Sequence, residues 1–410
     1  MKTKPSVFGA LIRLLVLAVA FLPSAITLLA DGTPSRHWIV IEASNKSQRT
    51  LAAELGLAIE EIKDNSIAGT ADDATVDRLK RRGFRILDQK SLEFILKAFP
   101  PRDSIYHDYG EAMAELSALA AADPQLVSLF SAGSSLEGRA LTVLRLNSTA
   151  KNLEPSDKPG IVFMGLHHAR EHLSAEIPIM LANHLVSAYK ENEEMRRLLD
   201  SRDVYIIPMV NPDGAEYDIE GDRYHMWRKN RRDNGGSMGV DLNRNYGHHW
   251  GGQGSSGYPA SDTYRGPAAF SEPETQAMKS FIEQRTNIKI LLSFHTFSEL
   301  ILYPWGYTDE GIGNARDKAV FETMAQTMAQ WNRYTPQQSS DLYISSGDTT
   351  DWAYGEKGIF AFTFELTPKS MSQGGFYPGA GIVQSTFDAN LRPCLYLISL
   401  AADPYSVVEQ

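Results

Sequence analysis

Three short apolar runs in this chain each lead into a residue that can bind a metal or move a proton. They are residues 161–164, 289–294 and 359–364. Each has the length and the near-continuous hydrophobic character of a buried strand. His168 follows the first run, His295 the second and Glu365 the third. Because ligands gather at the carboxyl ends of strands in open α/β sheets, we expect these three side chains to converge.

The residues after Tyr106 alternate between strand-like and helix-like patterns, which predicts one α/β domain with a largely parallel sheet. The other predicted elements are helices at 110–122, 175–190 and 388–400 and strands at 141–146 and 204–210. Residues 211–214 have the composition of a turn, and 235–257 that of a long surface loop beside a cleft.

Residues 31–102 form a separate small unit in this pattern. Strands predicted at 37–41 and 84–87 and helices predicted at 47–55 and 75–82 indicate a compact α/β module. The segment Phe-Pro-Pro-Arg-Asp at 99–103 breaks regular structure and exposes a basic residue, so we expect a linker that a protease cuts near Arg102. An N-terminal subdomain that stays attached is the alternative.

The first 30 residues have the composition of a secretory signal. A positively charged start precedes the apolar segment 14–21, and Ala30 offers a small residue for cleavage. A membrane anchor is the alternative, but Arg13 and Pro23 interrupt an apolar run shorter than the roughly 20 residues that a span needs. We therefore expect a secreted or periplasmic protein with no membrane segment in its mature form. The predicted parts are a signal at 1–30, a pro-segment at 31–102 and a large domain at 103–410.

The composition argues against one class of partner and indicates what stabilises the fold. The formal net charge is −10 and no basic stripe carries interleaved aromatics, which argues against nucleic-acid binding. Cys394 is the only cysteine, so no intrachain disulfide can form, and we expect a buried structural thiol. With 410 residues and 43% hydrophobic content, a large core can stabilise the chain, which we expect to be a monomer.

His168 and Glu171 have the spacing H-x-x-E, which puts both side chains on one face of a turn. Zinc prefers four ligands, and a catalytic zinc keeps one position for water. His295 supplies the third protein ligand in this prediction. A zinc-bound imidazole usually hands its other N–H to a carboxylate, and Asp241 is the candidate for that partner.

A second metal-binding pattern overlaps the first. Residues 168–172 also spell H-x-x-E-H, in which both histidines bind zinc from one helix. That arrangement needs a helix through all five residues, whereas a strand and a glycine closely precede them. It also leaves His295 and Glu365 without a role. We therefore expect His167 and His172 to pack or to form hydrogen bonds.

Glu365 has no place among the three zinc ligands. A carboxylate near a zinc-bound water can take its proton, and an ion pair at the strand end is the alternative. Arg170, Arg228 and Arg244 lie in predicted loops near the cleft. A guanidinium there can bind a carboxylate through two hydrogen bonds or stabilise an oxyanion. The alternative for any one of these arginines, taken alone, is a solvated position on the surface.

Seven stretches carry a resemblance to a known family. They are HHAREH at 167–172, NPDG at 211–214, WRKNR at 227–231, GVDLNRNYG at 239–247, TYRG at 263–266, SFHTFSELILYPWGY at 293–307 and DLYISSGDTTDWAYGEKGIFAFTFEL at 341–366. They span most of residues 104–405, and the chain resembles the zinc metallocarboxypeptidases of the carboxypeptidase A/B family, with the bacterial carboxypeptidase T branch most similar. The N-terminal unit resembles that family's activation segment less distinctively. Phe297 departs from the tyrosine that animal members carry in the cleft.

The resemblance implies a mixed, eight-stranded central sheet with helices on both faces. It implies that one zinc ion per chain is held by His168, Glu171 and His295. It further implies Glu365 as general base and then proton donor, Arg228 as the oxyanion-stabilising residue, and Asp241 as the residue that orients His168. The implied binding set for the substrate's terminal carboxylate is Asn243, Arg244 and Tyr343. Arg170 is implied as an assisting residue along the cleft.

The resemblance also bears on specificity and activation. In that family the base of the side-chain pocket is set by the stretch corresponding to residues 347–352. A large aliphatic residue at the position of Thr350 favours apolar C-terminal residues and an aspartate favours basic ones. Thr350 is neither, and Asp348 could still meet a lysine or arginine, so we predict release of both hydrophobic and basic residues from peptide or protein C-termini. An inactive precursor needs an activating protease.

Two other functions remain as alternatives. A different metallohydrolase on the same scaffold, such as a peptidoglycan amidopeptidase or a deacylase, would usually lack the binding set for a terminal carboxylate. A non-catalytic zinc-binding interaction module would be expected to lose Glu365 or a ligand. Calcium is a further candidate as a structural ion, and its candidate oxygen donors are Ser104, Tyr106 and Glu111. The alternative is that these side chains cap a helix or face solvent.

Overall fold

The computed structural model describes residues 36–92, 103, 105–221 and 223–409. The predicted signal at 1–30, most of the linker with Arg102, and the calcium candidate Ser104 lie outside the described residues. Among the described residues, no helix is both long and apolar enough to cross a membrane.

The N-terminal module, residues 36–92, is a four-stranded antiparallel sheet with two helices. Its elements are β1 (Arg36–Glu42), α1 (Lys46–Glu54), β2 (Ala58–Lys63), β3 (Ser66–Asp72), α2 (Asp73–Arg81) and β4 (Ile86–Ser91). The strand order is β2-β3-β1-β4, and all neighbours are antiparallel. The predicted small α/β unit is therefore present, with helices close to their predicted bounds.

Two strands of the module were missed and one was misplaced by the sequence analysis. The closing strand is β4 rather than residues 84–87. β2 alternates too weakly to signal a strand, because its sequence is Ala-Ile-Glu-Glu-Ile-Lys. Asp64 and Asn65 join β2 to β3 in a two-residue hairpin loop, and that turn composition was the available signal.

The larger part of the chain, from residue 105 to 409, folds around eight strands. They are β5 (Val127–Ser134), β6 (Ala140–Leu146), β7 (Gly160–Met164), β8 (Asp203–Ile207), β9 (Ile288–Thr296), β10 (Leu300–Tyr303), β11 (Thr335–Gln338) and β12 (Phe360–Leu366). The α-helices are α3 (Tyr109–Ala122), α4 (Leu173–Glu191), α5 (Glu193–Asp200), α6 (Pro212–Asp218), α7 (Pro273–Glu283), α8 (Ala315–Asn332), α9 (Thr349–Lys357) and α10 (Val383–Leu400).

These strands form one mixed sheet, as expected, in the order β11-β10-β12-β9-β7-β8-β6-β5. The central strands β12, β9, β7 and β8 are parallel to their neighbours within that group. β10 is antiparallel to β12, and β6 is antiparallel to both β5 and β8. The predicted parallel arrangement thus holds for the centre of the sheet, where the three apolar runs lie.

Helices cover both faces of this sheet, and β7 shows why. Ile161 and Phe163 point into a core shared with α4, α8 and α10, whereas Val162 and Met164 point into a second core shared with α7 and α9. A strand that is buried on both faces is hydrophobic at every position, which is why β7 was recognisable as a continuous apolar run.

Residues 211–214, predicted as a turn, begin a helix instead. α6 starts at Pro212, and the Asn211 side chain accepts a hydrogen bond from the Gly214 backbone N–H at 3.1 Å. Asparagine is a favoured N-cap, and proline suits the first helical position because that position needs no intrahelical N–H donor. Cys394 is buried in α10, as expected for a structural thiol.

Candidate active site

The site lies where three adjacent parallel strands end. Glu365 on β12 is directly paired with His295 on β9, and Met164 at the end of β7 is paired with Ser293 on β9. The carboxyl ends of these strands therefore meet at one edge of the sheet, as predicted. Gly165 then lets the chain turn under α4, because a Cβ at that position would lie 2.0 Å from the backbone oxygen of Ser174.

Two imidazole nitrogens and one carboxylate converge at this edge. The His168 Nδ1 atom lies 2.8 Å from Glu171 Oε1, and His295 Nδ1 lies 3.0 Å from Glu171 Oε2 and 3.1 Å from His168 Nδ1. All three residues are buried, and together they form a group that could hold a metal ion. Two histidines and a glutamate are a donor set that suits zinc, so the residues present fit the ion.

The far nitrogens of both histidines face hydrogen-bond partners. His168 Nε2 lies 3.2 Å from Asp241 Oδ1, the partner predicted from the sequence. His295 Nε2 lies 3.1 Å from Ser293 Oγ, which the sequence analysis missed. Residues two apart on a strand share a face, so the position of Ser293 was a usable signal. Such partners fix the ring orientation and leave both Nδ1 atoms aimed at the metal position.

His172 takes no part in the donor group. Its Nε2 atom lies 2.8 Å from Asp218 Oδ2, and α4 begins only after it, at Leu173. The helix that the H-x-x-E-H pattern requires is therefore absent between residues 168 and 172, where the chain forms a turn. His167 is also outside the donor group: its Nε2 atom lies 3.0 Å from the Tyr246 hydroxyl, and its ring stacks on the His295 ring with 5.6 Å between the centroids.

Glu365 stands beside the donor group without belonging to it. Burial raises the pKa of its carboxyl well above the usual range, and the nearby Glu171 and Glu60 carboxylates add to the effect. Arg228 and Arg244 oppose this shift. A carboxyl whose proton affinity is raised in this way suits a group that both accepts and returns a proton.

Arg228 is buried and bound to the same carboxylate as His168. Its Nε and Nη2 atoms lie 3.1 and 3.0 Å from Asp241 Oδ2. Burial alone would lower the pKa of Arg228, but Asp241, Glu60 and Glu171 outweigh it and raise the pKa. The guanidinium therefore stays charged, and its Nη1 atom lies 3.9 Å from Glu171 Oε1.

Asn243, Arg244 and Tyr343 lie together. Arg244 Nη2 lies 3.4 Å from the Tyr343 hydroxyl, and Nη1 donates to the Asn243 backbone oxygen at 2.7 Å. The Arg244 Nε atom is buried without a hydrogen-bond partner. A short 3₁₀ turn, Leu242–Arg244, carries the first two residues, and Asp241 caps it. This cluster has donors left for an anionic ligand.

These residues line one cleft of about 490 Å³. The lining residues from the predicted site are His168, Glu171, Arg228, Asn243, Arg244, Tyr343, Asp348, Thr350 and Glu365. Residues 59–63 of the N-terminal module line the same cleft. Arg170 is not among the lining residues, and its Nη2 atom pairs with the Glu60 carboxylate of β2. Nothing in the local sequence around Glu60 indicated this contact.

Asp348 and Thr350 lie at the cleft and at the start of α9. Asp348 Oδ1 accepts hydrogen bonds from the Asp351 backbone N–H and the Thr350 hydroxyl, both at 2.8 Å, so Asp348 is also the N-cap. Burial and the Asp348 carboxylate hold the pKa of Asp351 well above its usual range. Asp351 itself accepts hydrogen bonds from the backbone N–H groups of Gly306 and Tyr307, so the two carboxyl groups have different partners.

Comparisons with known proteins agree with this fold. A zinc carboxypeptidase from Saccharothrix mutabilis subsp. capreolus is 34% identical over 381 residues, which cover 87% of this chain and 87% of the relative. Carboxypeptidase B from Astacus astacus is 37% identical over 270 residues, 64% of this chain and 86% of the relative. The structure of carboxypeptidase A from Helicoverpa armigera matches with a TM-score of 0.75 at 24% identity, covering 92% of this chain and 99% of that one.

Two histidines and a glutamate at the carboxyl edge of an α/β sheet are the donor set of zinc peptidases, and fold and site together define that class. A family model described as zinc carboxypeptidase matches residues 112–391, more than half of the chain. With the 34% identical relative, this match shows that the chain belongs to the zinc carboxypeptidase family. It is a zinc-dependent carboxypeptidase, a hydrolase that acts on peptide C-termini.

The donor group yields a prediction about metal content. His295→Ala removes one of three ligands, so the purified variant should lose its zinc, whereas wild type should contain one zinc per chain. His172→Ala is the matched control, because His172 bonds to Asp218 rather than to the donor group. Metal analysis of the three proteins is the measurement. A His295→Ala variant that keeps its zinc, or a His172→Ala variant that loses it, would contradict the assignment.

Proposed function

We propose that this carboxypeptidase removes single residues from free C-termini, with its zinc held by His168, Glu171 and His295. When bound, zinc supplies Lewis-acid activation of water near neutral pH. The observation that carries the proposal is the convergence of the three donor atoms to within 3.1 Å beside Glu365. Other residues of the cleft transfer the proton, stabilise the developing charge and bind the substrate.

Glu365 takes a proton from the attacking water and passes it to the leaving amine. Support comes from its burial beside the donor group and from its raised pKa. Arg228 polarises the scissile carbonyl and stabilises the negative charge that develops on its oxygen. Asp241 serves both steps indirectly, because it orients the His168 ring and holds the Arg228 guanidinium in an ion pair.

The terminal carboxylate of the substrate binds to Asn243, Arg244 and Tyr343. The support is that Arg244 has a buried donor without a partner and lies 3.4 Å from the Tyr343 hydroxyl. A guanidinium can bind a carboxylate through two parallel hydrogen bonds, which fixes both its position and its orientation. Product analysis on peptides with free and amidated C-termini, with and without a chelator, tests this mode: amidated peptides and chelated enzyme should both give little product.

The side-chain pocket accepts both hydrophobic and basic C-terminal residues in this proposal. Asp348 can pair with a lysine or arginine side chain, while Thr350 contributes neither a bulky aliphatic surface nor a charge. Leu302 and Thr363, which line the same cleft, offer apolar atoms to a hydrophobic side chain. Glutamate and aspartate should be released poorly, because the Asp348 carboxylate repels them.

The N-terminal module acts as a pro-segment that keeps the precursor inactive. Residues 59–63 line the cleft, and Glu60 lies 3.9 Å from Arg228, which would otherwise face the substrate. The module is attached through several further contacts. They include Ser261 Oγ to Gly56 O at 3.0 Å, Ile344 N to Thr50 Oγ at 3.0 Å and Met371 N to Glu61 Oε1 at 2.6 Å.

Release requires an activating protease that cuts between residues 93 and 102. The large domain begins with an anchored Asp103, which is buried and whose Oδ2 accepts a hydrogen bond from the Tyr224 hydroxyl at 3.3 Å. The signal composition of residues 1–30 supports export to the periplasm or the medium.

A structural calcium ion stays a prediction from Tyr106 and Glu111, and the latter is engaged in a capping box at the start of α3.

The general-base role gives a prediction about turnover. Glu365→Gln should keep zinc and fold yet lose roughly 10²–10⁴-fold in kcat, because the amide cannot accept the proton from water. Steady-state kinetics is the measurement, with metal analysis and circular dichroism as controls on the same preparation. Activity within a fewfold of wild type would refute the role.

The pocket gives a prediction about specificity. A charge-assisted hydrogen bond is worth about 1.5–3 kcal/mol, so Asp348→Asn should reduce release of C-terminal Arg by roughly 10–150-fold. Asparagine is also a favoured N-cap, so α9 should stay intact and release of Leu or Phe should hardly change. The measurement is kcat/KM on peptides that differ only in the last residue. An equal fall for both substrate classes would mark Asp348 as structural.

The pro-segment gives a prediction about the uncut precursor. Glu60→Gln removes a charge between two guanidinium groups, so residual activity before cleavage should rise by roughly tenfold, or about 1.4 kcal/mol. Glu61→Gln is the matched control on the same strand, because the glutamine oxygen can still accept the hydrogen bond from the Met371 backbone N–H that helps to attach the module. Peptidase assays before and after cleavage of the linker measure both effects. Equal activity of intact and cleaved wild type would exclude inhibition by the module.

A further inference from the structure

Asp218, the last residue of α6, carries a fully buried carboxylate. Its Oδ1 atom accepts a hydrogen bond from the Trp227 backbone N–H at 2.6 Å. Its Oδ2 atom lies 2.8 Å from His172 Nε2 and accepts a hydrogen bond from the Tyr377 hydroxyl at 2.9 Å. A buried carboxylate is unfavourable unless its oxygens are hydrogen-bonded, and these three contacts meet that condition.

The chain just before Arg228 has an unfavourable backbone conformation. Met226 has a φ of 52°, in the left-handed region that residues with a Cβ rarely adopt. Both neighbours of Met226 are bound to Asp218. The His225 backbone N–H donates to the Asp218 backbone oxygen at 2.8 Å, and the Trp227 N–H donates to its side chain. Such a conformation persists only where the surrounding structure holds it, and Asp218 holds it from both sides.

Part of the hold on Met226 is lost when the N-terminal module leaves. Arg36 of the module donates a hydrogen bond to the Met226 backbone oxygen in the uncut chain. Asp218, His172 and Tyr377 all belong to the large domain, so their contacts do not involve the module. In the cleaved enzyme the conformation at Met226 therefore depends more on Asp218 than it does in the precursor.

The position of the Arg228 backbone decides where its guanidinium lies. Asp241 holds the side chain, and the Ala169 N–H donates to the Arg228 backbone oxygen at 3.1 Å. The Nη1 atom then lies 3.9 Å from Glu171 Oε1, beside the metal donor group. A misplacement of about 1 Å can lower turnover roughly 100-fold, so a backbone change at Met226 should be felt in catalysis.

We infer that Asp218 is a positioning residue for the reaction, because it holds the backbone of residues 225–227 so that the Arg228 guanidinium meets the scissile carbonyl. His172 and Tyr377 in turn fix the orientation of the Asp218 carboxylate. The inference rests on the proposed function, since it needs the role that Arg228 has there. Asp218 makes no described hydrogen bond to the metal donor group, so its effect on turnover passes through Arg228.

The test uses the full chain after cleavage of the linker. Asp218→Asn leaves one acceptor oxygen where the carboxylate had two, so either the Trp227 N–H or the partners of Oδ2 lose their acceptor. The kcat should fall by roughly 10–100-fold while KM stays within about twofold, because the substrate's terminal carboxylate binds elsewhere in the cleft. Zinc content should not change. Tyr377→Phe, which removes one donor and keeps the ring, should lower kcat less and also leave KM unchanged.

A double-mutant cycle with Arg228→Ala separates positioning from general structural damage. If Asp218 acts through Arg228, Asp218→Asn should cause little further loss of kcat once the guanidinium is gone, whereas independent effects would multiply. The affinity for a peptide phosphonate, whose anionic oxygens resemble the developing charge, should fall in parallel with kcat in the Asp218 variant. The Tyr377→Phe variant gives the same cycle if Asp218→Asn folds poorly.

Asp213→Asn is the matched control, because Asp213 is a buried carboxylate near the start of the same helix. It accepts hydrogen bonds from Ser135 Oγ and the Glu137 backbone N–H, both at 2.7 Å, and so has partners of its own. Its kcat should stay at the wild-type value, whatever its melting temperature. An equal loss of kcat in this control, an unchanged kcat in the Asp218 and Tyr377 variants, or multiplied losses in the cycle would overturn the inference. Failure of the proposed function looks different, because Arg228→Ala would then keep a kcat near that of wild type.

Discussion

A carboxylate buried between a histidine and an arginine is the contact on which the geometry of the cleft depends. Asp241 lies 3.2 Å from His168 Nε2 and 3.1 Å from Arg228 Nε, and it also accepts from the Asn243 backbone N–H at 3.0 Å. A buried charge is unfavourable unless it is paired and hydrogen-bonded. One carboxylate thus joins the His168 imidazole, the Arg228 guanidinium and the Asn243 backbone of the short 3₁₀ turn.

Burial on two faces explains which strands the sequence revealed. β7, β9 and β12 were recognisable because each is covered by helices on both sides and contains a run of mostly apolar residues. β11 at the sheet edge has the sequence Thr-Pro-Gln-Gln and no hydrophobic signal. It is a strand only because it pairs with β10, so its conformation depends on tertiary structure and not on its own residues.

The same distinction separates the predictable part of the site from the rest. His295 and Glu365 could be assigned because each ends a central strand, and the register that sets them side by side follows from parallel pairing. Ser293 could have been found in the same way, because residues two apart on a strand point to the same face as His295. Glu60 could not be found, because its contact with Arg170 joins residues 110 positions apart and depends on how the two parts of the chain dock.

Charge complementarity gives that docking a physical reason. The cleft places Arg170 and Arg228 close together without solvent, which is unfavourable unless anions compensate them. Asp241 compensates Arg228, whereas Arg170 has Asp262 at 3.6 Å and shares it with Arg36 of the module and with Lys229. The module therefore brings Glu60 as the missing anion and Arg36 as a further cation for Asp262. The buried charges of the module and of the large domain therefore stabilise each other only while the two are docked.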